Sequence, residues 1–203
     1  HRFAPPPAMA RRGDGAPVLV IPGFLATDRA TARLRQALDL AGYSAHGWAQ
    51  GFNRGATVRR LDALAGRVEA LGERAGRPVA LVGWSLGGLY AREVAKRIPD
   101  RVSRVVTLGT PFSGDPRANR GWRLYEWLNG HPVDRPPIPC DLAAKPPVRT
   151  IALWSHGDGV VAPACARGLR HESDRAVEVR CGHIGFPFEA EAIAAVLEAL
   201  GEE

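Results

Sequence analysis

The stretch Val79–Ala95, VALVGWSLGGLYAREVA, changes its period partway along. Val79 to Val82 form a short apolar run ending in glycine, which reads as a buried strand. Leu86, Leu89, Tyr90 and Val94, with Ile98 just beyond, recur at helical spacing. Ser85 stands where one period gives way to the other, between Gly83 and Gly87. A chain that turns from strand to helix this sharply forces its corner residue into strained backbone, and side chains at Gly83 and Gly87 would collide with their surroundings. G-x-S-x-G in this context predicts a nucleophile elbow, with Ser85 Oγ held clear of a sheet at the start of a helix. There the helix dipole and the Leu86 N–H favour a developing oxyanion. The competing reading, a phosphate-binding glycine loop, is disfavoured, because neither a Gly-Lys-Ser/Thr ending nor G-x-G-x-x-G is present.

The same alternation extends outward in both directions. PVLVIPG, YSAHGWA, PVALVG, VSRVVTLG, VRTIALW and AVEVR read as strands. Between them Thr31–Ala41, the stripe Leu61, Leu64, Val68 and Leu71, and a last helix with Ile193, Val196, Leu197 and Leu200 read as helices. Strands separated by helices predict an α/β fold: a three-layer α/β/α sandwich around a mostly parallel sheet of about six strands. A chain of 203 residues suits one buried core, so residues 1–203 are expected to form one domain. The alternation lapses at Pro111–Pro147, where Trp122, Leu124, Tyr125, Trp127 and Leu128 cluster. This segment reads either as a helix covering the sheet or as a small cap over an apolar pocket.

Hydrophobic residues at 45% and charged residues at 24% exclude a disordered chain. No apolar run reaches the ~20 residues of a membrane-spanning helix. No signal peptide is expected from HRFAPPPAMARRGDG, which leaves cytoplasmic or secreted locations open. The net charge of +6 comes almost wholly from scattered arginines, and it reads as a solvated basic surface rather than a nucleic-acid site. Contact with an acidic lipid surface remains compatible with it, and a monomer is expected. Cys140, Cys165 and Cys181 are too few and too widely spaced for a zinc site, so no metal is expected.

A serine hydroxyl needs a base, and the base needs a third group to orient it. Of the six histidines, His183 in EVRCGHIGFP follows the last strand directly, at the carboxyl edge where Ser85 is expected. Asp158, in the Gly-Asp-Gly turn of SHGDGVV, follows the preceding strand. An aspartate between glycines is ordinarily a turn former, but the order Ser85, Asp158, His183 is the one expected behind such an elbow.

With these motifs assembled, the chain resembles the α/β-hydrolase superfamily, in particular its compact bacterial lipases and carboxylesterases. VLVIPGF, GWSLGG, TLGTPF, SHGDGVV and CGHIGF carry the resemblance in order along most of the chain. It implies a serine hydrolase with a Ser-His-Asp triad, no cofactor, and a small-molecule ester or lipid as substrate. It also implies that Phe24 of IPGF supplies the second oxyanion N–H beside Leu86, with Pro22 where many members have histidine. Leu25, Trp84, Trp122 and Trp127 are expected to wall an apolar acyl pocket, with packing beneath the elbow as the other reading of Trp84. A thioesterase or acyltransferase would use the same triad, and a scaffold that only binds a ligand or protein is the reading from another class. Cys165 follows the Asp158 loop and Cys181 precedes His183, so a disulfide between them would tie the two loops together; the alternative is two buried thiols.

Overall fold

The computed structural model describes residues 13–120 and 140–202. Six strands form one sheet: β1 Pro17–Ile21, β2 Ser44–Gly47, β3 Val79–Trp84, β4 Val102–Leu108, β5 Arg149–Trp154 and β6 Arg175–Glu178. Their order is β2-β1-β3-β4-β5-β6, and every neighbouring pair is parallel. Helices α1 (Ala32–Leu40), α2 (Val58–Ala75), α3 (Leu86–Arg97), α4 (Pro163–Arg167) and α5 (Ala190–Gly201) connect or follow the strands. The three-layer arrangement expected from the alternation is the one observed.

The period of two along each strand sorts the core into two layers. Val18 and Val20 of β1 join Leu34 and Leu38 of α1 and Ile193 and Val196 of α5. Leu19 and Ile21, from the same strand, join Leu61, Leu64 and Val68 of α2 and Tyr90 and Val94 of α3 on the other face. Burying each of these aliphatic side chains stabilises the fold by about 2 kcal/mol. The helix α2 is bounded by the chain itself: the Thr57 hydroxyl accepts the Arg60 N–H at 3.2 Å, and Gly76 ends it at φ 65°. In α3 the sheet-facing positions are smaller than the helical stripe implies. Gly87, Gly88, Ala91 and Ala95 are buried while Leu86 and Leu89 are half-buried, because this helix lies very close to β3 and β4.

Along edge strand β2 and just beyond it, side chains occupy the backbone. Asp39 Oδ1 accepts the Ala45 N–H, Asp28 accepts the N–H groups of Trp48 and Ala49, and Arg67 Nε donates to the Gly47 carbonyl. Such side-chain partners blunt an edge that would otherwise template further pairing. Among the described residues no helix is long and apolar enough to cross a membrane.

The connection after β1 leads to α1 on one face, and the connection after β3 leads to α3 on the opposite face. Strand order reverses at this pair, so a crevice opens at their carboxyl ends. Pro22 and Ser85 lie at that crevice.

Candidate active site

Ser85 follows β3 directly and holds φ 54°, ψ −122° before α3 begins at Leu86. Non-glycine residues avoid this backbone region, at a cost of about 1–3 kcal/mol. Tight surroundings enforce it. A Cβ at Gly87 would lie 2.3 Å from the Ile21 carbonyl oxygen, one at Gly83 would lie 2.4 Å from that of Gly87, and the Ser85 N–H donates to the Leu108 carbonyl at 2.8 Å.

His183 opens a single helical turn after β6, and its Nε2 lies 3.0 Å from Ser85 Oγ. Its Nδ1 lies 2.8 Å from Asp158 Oδ2. Asp158 Oδ1 already accepts the N–H groups of Val160 and Val161, at 2.9 and 2.8 Å, which aims Oδ2 at the imidazole. A carboxylate oxygen only accepts, so Nδ1 carries the ring proton and Nε2 is left to accept from the Ser85 hydroxyl. Both side chains are almost fully enclosed, with 1% of Asp158 and 9% of His183 exposed. The three residues singled out in sequence thus meet in one hydrogen-bonded line, although 98 positions separate Ser85 from His183.

Of the two readings of Trp84, packing beneath the elbow is the one its burial supports. Its side chain is buried, its ring lies 5.8 Å from the His183 ring, and its Nε1 donates to the His183 carbonyl at 3.0 Å. The cause is simple: the residue before a sharp turn still obeys the strand's alternation and points into the layer beneath. Phe186 flanks the same imidazole edge-on at 6.4 Å. Leu25 is 41% exposed at the crevice side of β1, in left-handed backbone at φ 57°. Phe24 precedes it, half-buried, in a turn closed by Ala26 N–H on the Gly23 carbonyl. A Cβ on Gly23 would stand 3.2 Å from Ser85 Cβ, so this turn packs directly on the serine. Trp122 and Trp127 lie outside the described residues.

Of the two readings of Cys165 and Cys181, the structure has the two buried free thiols rather than a disulfide. Cys165 on α4 turns toward the Asp115 carbonyl, whereas Cys181 packs in the main core beneath α5. Burial, with Glu189 and Asp158 nearby, pushes the Cys181 thiol up to about 12, which keeps it protonated and inert. A serine joins the two loops instead. Ser155 Oγ donates to the Cys181 carbonyl at 2.7 Å and accepts the N–H groups of Gly157 and Cys181. One hydroxyl therefore bonds both the segment leading to Asp158 and the segment leading to His183. Nothing in the sequence marked Ser155, because a lone serine after a strand is an ordinary loop residue. Among the described residues no group of three or more His, Cys, Asp or Glu side chains is placed to hold a metal ion.

Residues 16–136 match the model of a family described by the alpha/beta hydrolase fold. The chain belongs to that family. As an α/β hydrolase it shares 48% identity over 46 residues with a pimeloyl-[acyl-carrier protein] methyl ester esterase of Aliivibrio salmonicida. The match spans 22% of this chain and only 16% of that protein. Among solved structures it is similar to the monoacylglycerol lipase of Paleococcus ferrophilus, with TM-score 0.65 and 17% identity over 92% of this chain and 96% of that one. It is also similar to a thioesterase domain from the curacin biosynthetic pathway, with TM-score 0.66 and 12% identity over 94% and 92% of the two chains. At such identities the two structures speak for the fold.

Proposed function

We propose that this α/β hydrolase cleaves carboxylic esters with an apolar acyl group, through an acyl-enzyme on Ser85. The observation that carries this reading is the line Ser85 Oγ, His183 Nε2, His183 Nδ1, Asp158 Oδ2, with contacts of 3.0 and 2.8 Å, ending on a serine strained at a helix start.

Ser85 Oγ attacks the ester carbonyl carbon as its proton passes to His183 Nε2. Asp158 holds the imidazole in the required tautomer and stabilises the imidazolium, remaining ionised itself. The carbonyl oxygen becomes an oxyanion facing the N–H groups of Leu86, first residue of α3, and of Phe24 in the turn packed on Ser85. When the intermediate collapses, the alkoxide takes the proton from His183 and leaves. Water then attacks the acyl carbon, again giving a proton to His183, and the acid departs as Ser85 regains its own. The preference for apolar acyl groups rests on Leu25, Val160 and Ile184, which expose 41%, 39% and 69% of their surface next to Phe24, Asp158 and His183.

Intact mass after incubation with a fluorophosphonate tests the nucleophile, and a p-nitrophenyl ester chain-length series tests the substrate class. One adduct is expected, absent from Ser85→Ala and His183→Ala, with kcat of the serine variant down about 10⁶-fold. A folded chain that neither takes an adduct nor turns over any ester would make this a binding scaffold. Turnover of acyl thioesters in preference to the matching oxygen esters would move the assignment to a thioesterase.

A further inference from the structure

Asn53 is wholly buried, and the mechanism above leaves it unused. It lies in the connection between β2 and α2, yet its hydrogen bonds go to the turn after β1. Its Nδ2 donates to the Pro22 carbonyl at 2.8 Å, its carbonyl accepts the Leu25 N–H at 2.7 Å, and its N–H donates to the Ala26 carbonyl at 2.9 Å. The peptide planes on both sides of the Gly23–Phe24 peptide are thus bonded to one residue. Within that peptide the Gly23 carbonyl accepts the Ala26 N–H at 3.1 Å, and in a trans peptide the Phe24 N–H then points the opposite way, out of the turn.

The amide is itself locked. Asn53 Oδ1 accepts the Gly55 N–H at 3.4 Å, and Tyr90 Oη, on α3 behind Ser85, donates to the Gly55 carbonyl at 2.6 Å while lying 3.5 Å from Oδ1. Arg60 donates to the carbonyls of Phe52 and Gly55. Leu25 shows why such support is needed. A leucine at φ 57° favours leaving the left-handed region, which would rotate the turn.

We propose that Asn53, oriented through Gly55 by Tyr90, is the positioning residue that holds the Phe24 N–H in its oxyanion-binding direction. The inference rests on the ester-hydrolase reading above. It adds that the oxyanion donor is set from the helix that carries the nucleophile, so the two halves of the site stay in register.

The test compares wild type with Asn53→Ala and Tyr90→Phe, in rates per active site titrated with fluorophosphonate, together with inhibition by a trifluoromethyl ketone. For Asn53→Ala we expect kcat to fall about 10²-fold at unchanged KM, with Ki for the ketone rising in parallel. For Tyr90→Phe, which removes one hydroxyl and keeps the ring, a fall of about five-fold in kcat is expected. The pH profile of kcat/KM should not move in either variant, because the Ser85–His183–Asp158 line is untouched. A purely structural Asn53 would lower the titrated fraction while each surviving site kept wild-type kcat and Ki, and that result overturns the proposal. If Asn53→Ala does not fold, wild-type kcat and Ki in Tyr90→Phe overturn it equally. Wild-type protein that neither labels nor turns over would remove the parent reading, a result distinct from a variant matching an active wild type.

Discussion

Ser85 keeps its strained backbone because glycines on either side let β1 and α3 close around it, and His183 meets it because Trp84 and Phe186 pin the imidazole from two sides. The Trp84 indole is more than packing, since its N–H supports the His183 carbonyl. Trp84→Phe keeps an aromatic ring against the imidazole and deletes that donor. We expect kcat/KM on a short ester to drop about five-fold while thermal unfolding shifts by only a few degrees. Steady-state kinetics beside a melting curve check this, and unchanged kinetics would reduce the indole to filler. Trp84 and Ser155 mark the limit of sequence reading at this scale. Each has its role because of a carbonyl brought close by the fold, at His183 for one and Cys181 for the other.

Helix α3 links the site to the segment whose start and end flank residues 121–139. Arg92 on this helix is fully buried, although the scattered arginines had read as a solvated surface. Its guanidinium donates to the carbonyls of Leu142, Ala143, Ala144 and Glu172 and lies 4.2 Å from the Phe112 ring. Burial pushes its pKa down to about 10, so it stays charged at neutral pH. One cation therefore fastens the chain shortly after β4 and shortly before β5 to the same helix. Arg92→Ala would leave four carbonyls without this donor and open space beside Phe112. An unfolding free energy lower by about 3 kcal/mol is expected in urea titration. A loss below about 0.5 kcal/mol would mean that the carbonyls find water instead.

At the scale of the molecule, two apolar layers share one sheet, and β1, β3 and β4 each feed side chains into both. The chain should accordingly unfold as one unit, with far-ultraviolet and near-ultraviolet circular dichroism giving coincident transitions. Separated transitions would divide it into two cooperative regions. The amino-acid sequence by itself determined the alternation of strands and helices, the corner at Ser85 and the order of Asp158 and His183 behind it. Those features rest on local periodicity and on residue types that turns demand, both of which are legible one segment at a time. Only the tertiary structure decided that Trp84 faces inward, that Ser155 rather than a disulfide joins two loops, that Arg92 is buried, and that Asn53 grips the turn at Phe24. Each of these depends on which distant backbone group lies within about 3 Å, and hydrogen bonding at that range is fixed by packing rather than by residue type.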